Sequence, residues 1–217
     1  MYTYLPGSCN SQGGREMKAG YDILIVGIGG QGTILASNIL GEACLIEGRP
    51  VKGAETHGMA QRGGSVESHI RIDGMFGPLI APGTADLLIS FDLLEALRYA
   101  HYLKAGGEIF TNCAMVIPTS VYTQGAQLPK AAEIQMRLDI RNTCYIEADQ
   151  LALEAGSILS RNVVMMGAAS NSIPLKTESL RAAVAKLVPP KTVDVNLKAF
   201  DIGRAAGMEC ENSQRSE

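Results

Sequence analysis

At 217 residues, 46% of them hydrophobic, the chain has enough apolar side chains to bury a substantial core as one domain. Its formal net charge of −3 and pI near 5.7 exclude a general attraction to nucleic acid or to an anionic membrane surface, so neither is expected as a partner and any anion binding must be local. Cys9, Cys44, Cys113, Cys144 and Cys210 form no CxxC pair, which argues against zinc knuckles and iron–sulfur loops, and no apolar run approaches the roughly 20 residues that cross a bilayer; the expectation is reduced thiols in a soluble, cytoplasmic, unexported protein.

Residues 1–20 mix Gly, Ser, Asn and Gln without periodicity and are expected to form a flexible leader, with Met17 a candidate functional start. "YDILIVGIGGQG" then carries a continuous apolar run, Ile23 to Val26, that suits a central strand buried on both faces of a parallel sheet. From Thr33 to Ile46 the residues Ile34, Leu35, Ile39, Ala43 and Ile46 recur at helical spacing, so the glycines occupy a strand-to-helix turn. "GRPVKGAE" is scarcely strand-like, and Glu55 is expected in a Gly- and polar-rich loop. "SVESHIRI" alternates: Val66, Ser68, Ile70 and Ile72 point one way, Glu67, His69 and Arg71 the other, giving one buried and one polar face.

"ADLLISF" is a further buried-type strand, and "DLLEALRYAHYL" a helix whose first turn holds Asp92 and Glu95, where the dipole favours them. "GGEIFTN" is the next strand. A passage marked by Pro118, Gly125 and Pro129 leads to a helix from Lys130, the strand "TCYIEA", and the helix "DQLALEAGS" with Asp149 near its start. Beyond residue 161 the signal is helical only, in "RNVVMMGAAS", "KTESLRAAVAKLV" opened by Thr177, and "KTVDVNLKAFDIGRAA". The alternation predicts an α/β fold: a Rossmann-like three-layer sandwich with a mostly parallel sheet and a helical C-terminal layer, one domain over residues 21–207, then a flexible tail over 208–217.

Gly27, Gly29 and Gly32, with Gly30 and Gln31 between them, fit G-x-G-x-x-G in its expected setting, a buried strand before and an amphipathic helix after. Two readings stand open. Missing side chains and free N–H groups at a helix start suit an anion such as a pyrophosphate, or the glycines only let strand and helix pack closely. A nicotinamide cofactor further requires an acidic residue about 20 positions on, where this chain has Lys52. Neither Walker A, HExxH nor G-x-S-x-G occurs, His101 reads as a packed or solvated helix residue, and no catalytic or metal-ligating residue is assigned. In "THGMAQRGGSV", Arg62 presents a rigid fork suited to carboxylate or phosphate, flanked by Gln61, Gly63 and Gly64, with His57 nearby. It either meets an anion or pins its own loop to neighbouring carbonyls.

"VGIGGQGTILASNIL", "THGMAQRGGSVESHIRI", "PLIAPGTADLLISFDLLEALRYAHYLKAGG" and "RNVVMMGA", in that order, resemble the beta-subunit family of indolepyruvate ferredoxin oxidoreductases, within the gamma-type domain shared by 2-oxoacid:ferredoxin oxidoreductases. The resemblance runs from about Tyr21 to Gly207. It implies one partner of a two-subunit enzyme that oxidatively decarboxylates arylpyruvates with coenzyme A, yielding aryl-acetyl-CoA, carbon dioxide and reduced ferredoxin. Thiamine diphosphate, Mg and the iron–sulfur clusters would belong to a large alpha subunit, and this chain accordingly lacks a Gly-Asp-Gly thiamine motif and a cysteine-rich ferredoxin motif. Gly27, Gly29, Gln31 and Gly32 match the family's glycine turn as candidate cofactor-binding residues; Gln61, Arg62, Gly63 and Gly64 match its interface loop, which would dock beside an anion-rich neighbouring site. Asp92 stands where the family pattern expects Glu. Three classes of function follow: an enzyme subunit inactive alone, of this or another 2-oxoacid:ferredoxin oxidoreductase; a stand-alone NAD(P)-binding oxidoreductase; and a ligand-free interaction module.

Overall fold

The computed structural model describes residues 20–57, 64–74, 77–117 and 128–214, the side chain of His57 excepted. Residues 1–19 of the leader, Met17 included, lie outside the described residues, as do Pro118 and Gly125. A six-stranded sheet of order β2-β3-β1-β4-β5-β6 forms the middle layer. Its strands are β1 (Tyr21–Ile28), β2 (Val51–His57), β3 (Ser65–Ile72), β4 (Ala85–Ser90), β5 (Leu103–Asn112) and β6 (Asn142–Ile146). Neighbours from β1 through β4 and β5 to β6 run parallel, while β3 runs antiparallel to both β1 and β2.

The central strand explains the layering. Ile23 and Ile25 of β1 face one core with Ile70, Ile72, Leu87 and Ile89; Leu24 and Val26 face the other with Leu88 and Ile109. Every one of these side chains is at most 5% exposed, which is why β1 reads as an unbroken apolar run. The first core is closed by α1 (Thr33–Ile46), α4 (Ala148–Ala155), α5 (Arg161–Ala169), α6 (Thr177–Leu187) and α7 (Val193–Gln214), the second by α2 (Leu93–Tyr99) and α3 (Ala131–Leu138).

α5 is buried beneath α7 at backbone contact. A Cβ on Gly203 would lie 2.0 Å from the Val164 carbonyl oxygen, one on Gly207 2.1 Å from that of Ala168, and one on Gly167 2.0 Å from that of Phe200. Each glycine costs a helix about 1 kcal/mol relative to alanine, a cost offset here by interhelical contact that no larger residue allows.

Four expectations are corrected. "VKGAETH" is a strand, β2, and Glu55 lies in it with its carboxylate accepting from Ser37 Oγ at 3.1 Å; as the sheet's outer strand, with Lys52, Gly53, Glu55 and Thr56 exposed, it needs no apolar run. The polar face of β3 is covered by its own chain: Arg71 makes a bidentate pair with Asp22 at 2.9 and 2.8 Å, and His69, 2% exposed, accepts the Ile80 N–H on Nδ1 at 3.2 Å. The 208–217 segment is helical through Gln214. Cys144 and Cys210 are joined as a disulfide rather than standing as separate thiols; Cys44 and Cys113 are free.

Candidate functional site

The carboxyl ends of the parallel strands form one edge of the sheet, and at β1 the chain leaves first toward β2 on one side and later toward β4 on the other. A crevice at such a reversal is the usual ligand position in open α/β sheets. The glycine turn lies here. Gln31 donates its N–H to the Ile28 carbonyl at 3.0 Å and folds its side chain back so that Oε1 accepts the Ile28 N–H at 2.7 Å. A Cβ on Gly27 would sit 2.8 Å from that Oε1, and one on Gly32 2.4 Å from Asn162 Nδ2, whose amide reaches the Gly32 carbonyl at 3.4 Å. A side chain at either glycine would have to displace Gln31 or Asn162. Gly30 differs: its φ is 101°, it is exposed, and a Cβ there would meet nothing within 4 Å. Gly32, at φ 88°, caps α1 without a side-chain hydrogen bond, and the first turn of α1 carries no acidic residue, so the positive end of a 14-residue helix is left uncompensated by its own side chains.

The second predicted segment meets the first directly: Gly29 donates its N–H to the Gly64 carbonyl at 2.9 Å. One residue on, Ser65 Oγ lies 2.5 Å from Glu95 Oε2 and 3.0 Å from the Tyr99 hydroxyl. Glu95 and Tyr99 belong to "EALRY" in α2. Three motifs spread over more than a third of the chain thus close on one point. β3 runs opposite to β1, so its first residues fall beside the last of β1, with Ile28 opposite Ser65.

Asp92 fixes α2 in place. Its Oδ1 accepts the N–H groups of Leu94 at 2.9 Å and Glu95 at 3.2 Å, and its Oδ2 accepts that of Val116 at 2.6 Å, a helix cap with a second anchor. Burial raises the pKa of the Asp92 carboxyl, against the lowering effect of those backbone donors. Burial also raises that of Glu95, which is 2% exposed, opposed by Ser65 and by Arg98 at 3.4 Å. Tyr99 and Tyr102 are pushed up by burial first and by the neighbouring Glu67 carboxylate. His69 moves the other way, because desolvation outweighs Glu67, whose Oε1 is 3.9 Å from Nε2.

Of the predicted residues, Gly27, Gly29, Gly30, Gln31, Gly32 and Gly64 are brought to one edge. His57 ends β2 at that edge by its backbone; Gln61, Arg62 and Gly63 lie outside the described residues. Sequence reasoning missed Ser65, Glu95, Tyr99 and Asn162 as parts of the site, and the available signal was the joint presence of "RGGSV" and "EALRY". Among the described residues no trio of His, Cys, Asp or Glu side chains is placed to hold a metal ion, and no helix is long and apolar enough to cross a membrane.

The family model described as pyruvate ferredoxin/flavodoxin oxidoreductase matches residues 22–206. The chain is 42% identical over 198 residues to indolepyruvate oxidoreductase subunit IorB of Pyrococcus horikoshii, covering 88% of this chain and 98% of that one. It is 39% identical over 193 residues to the IorB subunit of Methanothermobacter thermautotrophicus, covering 87% and 98%. In fold it resembles the 2-oxoglutarate:ferredoxin oxidoreductase of Magnetococcus marinus, solved with 2-oxoglutarate, coenzyme A and succinyl-CoA bound, with a TM-score of 0.67 at 22% identity over 88% of this chain and 32% of that longer one. It likewise resembles pyruvate oxidoreductase subunit PORC of Thermotoga maritima, with a TM-score of 0.66 at 21% identity over 87% and 97%. A glycine turn, a reversed strand and a capped helix meeting at one sheet edge are features of a chain that belongs to the pyruvate ferredoxin/flavodoxin oxidoreductase family.

Proposed function

We propose that this chain is the IorB-type subunit of an indolepyruvate oxidoreductase, supporting the CoA-dependent oxidative decarboxylation of arylpyruvates with ferredoxin as electron acceptor. Identity of about 40% to IorB subunits along nearly their whole length carries the reading. In it, thiamine diphosphate, Mg and the iron–sulfur clusters reside on a large companion subunit in the cytoplasm. This chain supplies a shaped edge: the glycine turn at the start of α1, with Gly64 hydrogen-bonded to Gly29, and the cationic Arg62 segment leading into Ser65. A fixed guanidinium on a segment without bulk suits a diphosphate, a CoA phosphate or a substrate carboxylate at the subunit boundary.

The nicotinamide alternative is disfavoured by topology. The acid that takes the ribose hydroxyls stands at the end of the strand beside β1, but β2, with Glu55, is separated from β1 by the whole width of β3, placing it about 10 Å away rather than about 5.

The test is reconstitution with the companion subunit. Arg62→Ala should leave the melting temperature within about 2 °C of the parent and lower turnover of arylpyruvate with ferredoxin at least about tenfold. An unchanged rate demotes the segment to scaffolding, and turnover of NADH by the isolated chain overturns the subunit reading itself.

A further inference from the structure

α7 has two parts held in different ways. Up to Gly207 it is locked against α5 by backbone contact, the Cβ position of Gly207 lying 2.1 Å from the Ala168 carbonyl oxygen. One turn later the helix also meets β6, the strand that ends the sheet and pairs with β5 on its inner side. There Cys210 is bonded to Cys144, Gln214 Nε2 donates to the Thr143 carbonyl at 2.8 Å, and Ser172 Oγ donates to Glu211 at 3.4 Å. Met208, Glu209, Asn212, Ser213 and Gln214 are exposed. An open groove of about 480 Å³ lies beside this end, lined by Asn142, Thr143 and Tyr145 on one side and Ser213 and Gln214 on the other.

We propose that Cys144–Cys210 is a thiol–disulfide exchange site that latches the last turns of α7 over the outer edge of β6. The two sulfurs are not equivalent. Cys144 is 2% exposed and part of the core, whereas Cys210 is partly open to solvent, so an incoming thiolate reaches Cys210. It attacks Cys210 Sγ and forms a mixed disulfide, and Cys144 departs as a thiolate that takes up a proton. A second thiol then clears the mixed disulfide, so that one protein disulfide and two small thiols become two protein thiols and one small disulfide. The reverse sequence, with a low-molecular-weight disulfide as oxidant, closes the latch. The Cα atoms are 5.8 Å apart, inside the range that a disulfide bridges without backbone movement, so the bond closes once the last turns of α7 are seated. Reduction frees residues 208–214 while the glycine contacts keep α7 seated through Gly207; the Thr143 carbonyl then opens to water, and an unpaired strand edge is exposed.

The full chain is equilibrated in glutathione buffers of stepped redox ratio, quenched, alkylated and mapped by peptide mass, and the two end states are compared by hydrogen exchange. Cys144 and Cys210 should pass together, reversibly, from unlabelled to labelled. Exchange in 208–214 and 142–146 should rise at least about tenfold on reduction while β1 and β4 stay protected. Cys210→Ser should show the reduced pattern in both buffers. The proposal is overturned if the pair stays labelled in oxidised glutathione, if excess reduced glutathione leaves it closed, or if reduction either leaves 208–214 unchanged or loosens β1 and β4 as well.

Discussion

Ser65→Ala tests whether the three motifs converge through a real clasp. The hydroxyl sits between a carboxyl that is 2% exposed and the Tyr99 phenol, at 2.5 and 3.0 Å, and alanine removes it without filling the gap. Losing a hydrogen bond costs about 1 kcal/mol, and leaving a buried acceptor short of a partner about 1–3 kcal/mol. Arg98, 3.4 Å from Glu95 on the exposed side, limits the loss to roughly 2–3 kcal/mol, or a fall in melting temperature of about 4–12 °C for a chain of this size. Glu95→Gln supplies the control. Burial raises the Glu95 pKa in the folded chain, so folded and unfolded states are both protonated at low pH, and stability is lost as pH rises and the unfolded state ionises first. Glutamine cannot ionise, so its stability relative to the parent should improve as pH rises through and above the ordinary glutamate range. Urea unfolding followed by circular dichroism measures both effects, and the double variant measures coupling, expected at about 1 kcal/mol. A Ser65→Ala cost below about 0.5 kcal/mol, or strict additivity with Glu95→Gln, refutes the clasp.

Gly203→Ala would gain about 1 kcal/mol of helix propensity, but its Cβ would stand 2.0 Å from the Val164 carbonyl oxygen, and overpacking of this kind costs about 1–3 kcal/mol or more. A net loss is expected, and a raised melting temperature would mean that α5 and α7 do not touch as described. Burial lowers the pKa of His69, so the unfolded state binds its proton first as pH falls through the ordinary histidine range, and stability declines from there down to the folded-state value. An imidazole NMR titration of His69 at or above the ordinary histidine value would contradict this.

The sequence pattern was readable where one physical cause dominated. β1 and β4 are buried on both faces and announce themselves by unbroken apolar runs, and α1 by its spacing. β2 was not, because an outer strand with exposed Lys52, Glu55 and Thr56 is held by the hydrogen bonds of one neighbour and needs little apolar character. The end of α7 read as a tail because "ECENSQ" is polar; what orders it is a disulfide to a residue 66 positions earlier and a hydrogen bond to Thr143, and local composition carries no trace of either. The polar face of β3 pointed correctly to charged side chains but not to what covers them, since Asp22 and Ile80 reach Arg71 and His69 only through the fold. In the site, the glycine turn and Gly64 were legible as motifs, whereas Glu95 read as a residue favoured by the helix dipole. Its second partner, Ser65, lies 30 positions away and becomes visible only when β3 is laid beside β1.

The reversed strand carries a further consequence for how this enzyme family can vary. In a wholly parallel sheet each connection must travel the full height of the layer, and lengthening it disturbs a packed helix. Here the chain between His57 and Ser65 leaves and re-enters the sheet at one rim, between adjoining strands whose ladder is complete from Val51 to Ile72. Residues can be added between those two strand ends at an entropic cost that grows only with the logarithm of length. The rim between β2 and β3 is therefore a part of the molecule free to be retuned.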